Sequence, residues 1–190
     1  MKQLFTAACA LCVLAACNNA TTSTSSTDTT ANTATVTTDQ SQNVSYAYPV
    51  EYSSDFIIGD PKYAQTVLEL WKDYDDNAFD RHADAFADSV TMDLSDGTGF
   101  MNSPKDSVLK SVKAYRSSLK NAVSSVEVVT ALKPKGKDET WVCVWGREVD
   151  THKDGKMDSV YYNENWMFNK DGKVAYMSQY QATPKSLVKK

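Results

Sequence analysis

The sequence predicts an α+β domain, and three observations carry that reading. Helical periodicity is confined to residues between about 60 and 120. Long segments rich in Val, Tyr and Trp then follow one another with no helix between them, the order of an α+β rather than an alternating α/β architecture. All four tryptophans lie beyond Tyr46, so the hydrophobic core belongs to that part of the 190-residue chain. A chain of this length, 42% hydrophobic, is expected to build one core. No apolar run reaches the roughly 18 residues that cross a bilayer, which excludes a polytopic helical membrane protein. A net charge of −4 without basic blocks argues against nucleic acid as a partner. The two histidines, His82 and His152, are not spaced as metal ligands, and neither metal nor cofactor is expected.

Residues 1–16 read as a secretory signal: one lysine, an apolar stretch, then small residues. Leu14-Ala15-Ala16-Cys17 resembles the bacterial lipobox, which implies cleavage before Cys17 and a lipid on its sulfur. Cys9 and Cys12 then leave with the signal, and Cys143 is left alone with no partner for a disulfide. Asn18 follows the cysteine where an aspartate would be expected to retain a lipoprotein in the inner membrane. The resemblance therefore implies the outer membrane of a Gram-negative cell envelope. Residues 17–45 comprise the lipidated cysteine and a Thr/Ser-rich tether. Of the 28 residues Asn18–Ser45, 10 are Thr and 5 are Ser, too polar to offset the entropy of ordering. A flexible coil of that length spans about 30 Å. Asp28-Thr29-Thr30 resembles a short O-glycosylation motif, too short to outweigh an unmodified linker. The folded domain is expected over 46–184, ahead of a basic tail at 185–190.

Within the domain, Asp60-Pro61 supplies an N-cap and a first-turn proline. Tyr63, Val67, Leu70, Trp71 and Tyr74 then recur at helical spacing. Asn77 is expected to open a second, short helix carrying Phe79, His82, Ala83 and Phe86 on one face. Ser89–Leu94 alternates as a strand. Ser103-Pro104-Lys105-Asp106 resembles a capping box and opens a third helix that carries Val108 to Leu119. Strands are expected at Val123–Leu132, Thr140–Asp150, Met157–Phe168 and Val174–Ala182. Lys-Asp-Gly-Lys occurs at both 153–156 and 170–173, and each copy suits a three-residue hairpin loop with left-handed glycine. That loop pairs His152 with Lys156 and Asn169 with Lys173, and period-two alternation extends the register along the strands.

Glu164-Asn165-Trp166-Met167-Phe168-Asn169-Lys170-Asp171-Gly172-Lys173-Val174 resembles the last hairpin of the nuclear transport factor 2-like superfamily, which includes SnoaL-like proteins and ketosteroid isomerases. Phe86-Ala87-Asp88-Ser89-Val90-Thr91 resembles its helix-to-strand junction. The resemblance covers about residues 56–182. It implies a cone-shaped, curved antiparallel sheet wrapped around about three N-terminal helices, with a pocket inside. In the family the Trp-x-Phe positions point inward. The concave face is therefore expected to hold Val142, Val144, Tyr162, Glu164, Trp166, Phe168, Val174, Tyr176 and Tyr180. Trp141, Cys143, Trp145, Met167, Met177 and Gln179 are expected outside.

The pocket is expected to be lined by Trp71, Tyr74, His82, Leu94, Val144, Tyr162, Glu164, Trp166 and Tyr176. Glu164 is a carboxylate in apolar company, and burial raises a carboxyl pKa. Its position resembles that of the neutral acid of ketosteroid isomerases. The positions matching that enzyme's base and oxyanion tyrosine hold Leu94 and Leu70, which excludes its chemistry. Asp73, Asp75, Asp76, Asp80 and Asp84 lack calcium-loop spacing and read as a solvated acidic face.

Three readings of function remain. A lipid-anchored, non-catalytic protein could bind a small apolar or aromatic molecule in the cone. A SnoaL-like enzyme could use Glu164 with Tyr74 or His82. An interaction module could use the outer sheet face, where Trp141, Trp145, Met167 and Met177 are expected to form a homodimer interface unless residues 48–58 fold back over it.

Overall fold

A computed structural model describes residues 45–184. The signal segment, Cys17, the tether and the basic tail lie outside the described residues. Within the compact unit that begins at Tyr46, the elements run β1 (Phe56–Ile58), α1 (Pro61–Asp75), a 3-10 turn (Ala83–Ala85), β2 (Phe86–Asp93), β3 (Gly99–Pro104), α2 (Lys105–Ser118), β4 (Leu119–Pro134), β5 (Thr140–His152), β6 (Met157–Phe168) and β7 (Val174–Ala182). The seven strands form one curved sheet in the order β1-β4-β5-β6-β7-β2-β3, antiparallel throughout except where β2 runs parallel to β7. The architecture is α+β, with two helices against the concave face of an unclosed sheet.

Helix α1 starts where the sequence places its cap: Asp60 accepts from the Lys62 amide at 2.9 Å, and Pro61 occupies the first turn. The expected second helix does not form. Asn77 adopts φ +54°, and its amide donates to Tyr74 O while Ala78 N donates to Asp73 O. This paired closure ends a helix on a left-handed residue, so Asn77 terminates α1 instead of opening a new one. Arg116 of α2, itself buried, completes that end by donating to Tyr74 O at 2.8 Å and Asp75 O at 2.7 Å. The domain thus has two helices and a single 3-10 turn where about three helices were expected.

The capping box at Ser103 also gives way. Ser103 stays in β3, paired with Val90, and its hydroxyl donates to Met101 O, so α2 begins without a side-chain cap. Two strands escaped the sequence reading, the short β1 and β3, the latter hidden by the Gly and Pro at its ends. Both Lys-Asp-Gly-Lys turns form as expected: Asn169 N donates to Lys173 O, His152 N to Lys156 O, and Gly155 and Gly172 lie at φ +89° and +71°.

The core lies between α1, α2 and the concave face. Val67, Val108, Val142, Val144, Phe168 and Val174 are essentially inaccessible to solvent within it. One register detail overturns the face assignment of β7. Phe168 pairs with Val174 but Met167 pairs with Tyr176, so a bulge at Ala175 intervenes. A one-residue slip sends every later side chain to the opposite face. Tyr176 and Tyr180 therefore lie outside, and Met177 and Gln179 lie inside.

Candidate functional site

The helices and the concave sheet enclose a cavity of about 550 Å³. Its apolar wall comes from α1 (Leu70 and Trp71), from Phe79 and Phe86, and from Met92, Phe100, Leu109 and Met177. Tyr74, Leu94, Tyr162, Glu164 and Trp166 also line it. Three positions assigned to the wall from sequence do not. Val144 is sealed in the core beneath the cavity. Tyr176 sits on the convex face, donating to Asp93 at 2.7 Å and meeting Trp141 edge-on at 5.8 Å. His82 is turned away by an ion cluster: its Nδ1 lies 2.8 Å from Asp73, and Arg81 reaches the same carboxylate at 3.1 Å.

Asp73 is 1% exposed and ties the 77–85 segment to α1, so the acidic run is not one solvated face. Asp75 likewise accepts from the backbone and hydroxyl of Ser124 on β4. Solvent-exposed Asp76, by contrast, pairs with Lys72 and Arg81 on the surface. Among the described residues no group of three or more His, Cys, Asp and Glu side chains is arranged to hold a metal ion.

Glu164 is the centre of a buried network. Its Oε2 accepts from Trp71 Nε1 at 2.7 Å and Trp166 Nε1 at 2.9 Å, and its Oε1 accepts from Gln179 Nε2 at 2.8 Å. Burial raises the carboxyl pKa, and these three donors oppose the rise. Neither Tyr74 nor His82 is among its hydrogen-bond partners. The approach of Trp71 depends on Gly146 of β5. A Cβ there would stand 2.8 Å from the indole ring and 2.5 Å from Ser125 O. The β4 bulge between Val126 and Val128 lies opposite this glycine, where the sheet must curve around the indole.

A second acid site was missed from sequence. Glu148 and Asp150 continue the inward alternation of Val142 and Val144 on β5, so period two alone would have found them. Glu148 lines the cavity and makes a side-chain hydrogen bond with Asp150. Desolvation, followed by the charges of Asp150, Glu164 and Asp75, pushes Glu148 up to about 8. Asp150 is also raised, chiefly by burial, and its Oδ1 is buried without a hydrogen-bond partner. Tyr74 and Tyr162 lie nearby, and burial pushes both phenols above the ordinary tyrosine range. The pair can hold a proton near neutral pH, the property a pocket acid or base needs.

The convex face is partly covered. Tyr52 accepts from Trp141 Nε1 at 2.7 Å and packs edge-on against its ring at 5.7 Å, so the segment before β1 folds over Trp141. Met177 has left this face by the β7 bulge. Trp145, Tyr161 and Tyr180 remain exposed around a groove of about 410 Å³. Cys143 is free and half-buried, with its thiol pushed up by burial. His152, beside its turn, sits 2.6 Å from Asp158.

No protein-family model matches the chain. No curated protein matches it. Solved structures do. A proposed scytalone dehydratase of Novosphingobium aromaticivorans superposes at TM-score 0.54 and 11% identity, over 63% of this chain and 80% of that one. An NTF2-like protein of Anabaena variabilis gives 0.52 and 14%, over 65% and 89%. An NTF2-like protein of unknown function from Burkholderia pseudomallei gives 0.51 and 16%, over 63% and 90%. The domain has the NTF2-like fold, an α+β cone.

Proposed function

We propose that this protein is a lipid-anchored component of the cell envelope whose cone binds a small apolar or aromatic molecule without transforming it. The observation that carries the reading is the cavity itself. About 550 Å³ of mostly apolar space falls within the range of small-molecule sites. Leu70 and Leu94 line it at the two positions where the resemblance places an isomerase's tyrosine and base. The same fold hosts many unrelated functions, so the site rather than the fold supports this choice. The lipobox at Cys17 and the Thr/Ser tether support an anchored domain held off an outer-membrane surface.

Native mass spectrometry of the full chain purified from its envelope tests the binding reading. A retained small-molecule adduct supports it; protein that carries none, and that a panel of aromatic compounds does not stabilise, overturns it. Fractionation tests the anchor: Cys17→Ser is expected to move the protein from the membrane to the soluble pool, and unchanged membrane partition would remove the lipid.

An enzymatic reading draws on one observation, the Glu148–Asp150 pair with its proton held near neutral pH. A neighbour in fold is named for a dehydratase reaction, which suits a pocket acid. The same mass measurement separates the two. One adduct shared by wild type and Glu148→Gln supports binding, whereas different adducts, product in one and substrate in the other, support catalysis.

A further inference from the structure

The cavity wall carries carboxyl groups and no basic side chain. Asp96, Glu148 and Glu164 line it, and among the described residues no lysine, arginine or histidine does. Behind Glu148 stands Asp150, 9% exposed, with one carboxyl oxygen buried and unpartnered. Arg116 is not part of the lining: its guanidinium donates to the last carbonyls of α1 and lies 5.9 Å from the Tyr74 ring centroid, and its charge acts on Asp150. Among the described residues, eight aromatic side chains also line the cavity, and ring faces attract cations.

We propose that the ligand is an organic cation, a quaternary or protonated amine on an apolar or aromatic body, with its charge beside Glu148 and Asp150 and its body against Trp71, Phe86 and Trp166. This inference rests on the ligand-binding reading and names the ligand class for the same cavity. An anionic ligand would find no lysine, arginine or histidine among the described residues of the wall to neutralise it, and a buried charge without a partner is costly. A neutral ligand would gain nothing from these acidic groups, whereas a cation is attracted to them across a medium of low dielectric.

The groups facing the Glu148–Asp150 pair come from every element around it. Asp75, Glu164, Tyr74, Tyr115 and Tyr162 act on Glu148, and His152, Asp158 and Arg116 act on Asp150. Burial first, and then the charges of Asp150, Glu164 and Asp75, hold Glu148 protonated up to about 8. A cation lowers that value, so binding expels a proton and tightens as the pH rises from 6 to 9.

Isothermal titration of the full chain with three compounds sharing a 4-tert-butylphenyl body tests this: the benzyltrimethylammonium cation, the benzyl alcohol and the benzoate. The expected result is a cation bound at least about tenfold more tightly than the alcohol, no benzoate binding, and proton release measured in buffers of different ionisation enthalpy. Glu148→Gln is expected to shrink the cation-to-alcohol preference to about threefold or less; an unchanged preference would remove Glu148 from the charge site and overturn the proposal. Should that variant not fold, proton release by the wild type decides alone, and its absence overturns the proposal. An alcohol that binds as tightly as the cation overturns the cation class while leaving the ligand-binding reading standing. Failure of all three to bind, with no adduct in native mass spectrometry, overturns both.

Discussion

Glu164 and Glu148 lie on neighbouring strands, four positions apart in register, and differ in environment and chemistry. Glu164 has three donors on its two oxygens, so its burial is compensated. Glutamine at this position would keep one oxygen for both indoles and offer its amide to Gln179, whose own amide needs only to flip. Glu164→Gln is therefore expected to change stability by no more than about 1 kcal/mol. Glu164→Leu would strand two buried indole N–H groups and cost about 2–4 kcal/mol; equal denaturation midpoints for the two variants would contradict the network.

Glu148 behaves differently, because its carboxyl is raised above the ordinary 4.5 to about 8. Between those values the folded protein holds a proton that the unfolded chain releases, so this group's contribution falls as pH rises through that window. Relative to wild type, Glu148→Gln is expected to gain on the order of 1–3 kcal/mol between pH 5 and 8. Parallel stability profiles for the two proteins would place the carboxyl in water.

At the scale of elements, curvature and register decide what the site contains. Gly146 lets α1 lay Trp71 onto β5, and the bulge in β4 opposite it bends the sheet around that contact. Gly146→Ala is expected to push the indole off Glu164 and cost about 1–3 kcal/mol, read as a lower denaturation midpoint at unchanged slope. A neutral substitution there would mean that Trp71 is not held as described. The bulge at Ala175 acts on the other side of the cavity: it delivers Met177 and Gln179 to the interior and sends Tyr176 to Trp141. Such a bulge leaves no mark in the hydrophobic pattern of β7, whose alternation is broken by tyrosines and amides on both faces. The inward course of β5 to Glu148 and Asp150, by contrast, was legible, since it continues an uninterrupted period of two. Helix ends fell between these cases. Asp60-Pro61 announced a start that local geometry alone secures, whereas the stop at Asn77 relies on a left-handed residue and on Arg116 arriving from α2.

On the scale of the whole molecule, the convex face remains the surface most in need of a partner. Trp145 is 46% exposed, with Tyr161 and Tyr180 beside it, while Tyr52 covers Trp141. Burying one such aromatic is worth on the order of 1.5–3 kcal/mol, so a two-fold contact between these faces would bury several. A homodimer is the proposed outcome, and light scattering of the full chain at micromolar concentration is expected to show it. Trp145→Glu is expected to yield monomers, because symmetry would set two unpaired carboxylates in one contact. Monomeric wild type would mean that the covering by Tyr52 suffices.

The sequence by itself determined the α+β class, the order of the long strands, both glycine turns and the placing of Glu164 on the face of Trp166 and Phe168, with the family resemblance naming that face as inward. Each of the first four follows from local backbone preference or from side-chain period, which neighbours in the chain express together. Only the tertiary structure decided which carboxylates share a cavity, which donors hold Glu164, that His82 faces Asp73, and which side of β7 lines the wall. Those outcomes depend on contacts between residues as distant as Trp71 and Glu164, and on one-residue bulges that reverse a face. Their energies come from packing and burial across the sheet, and the local pattern does not carry them.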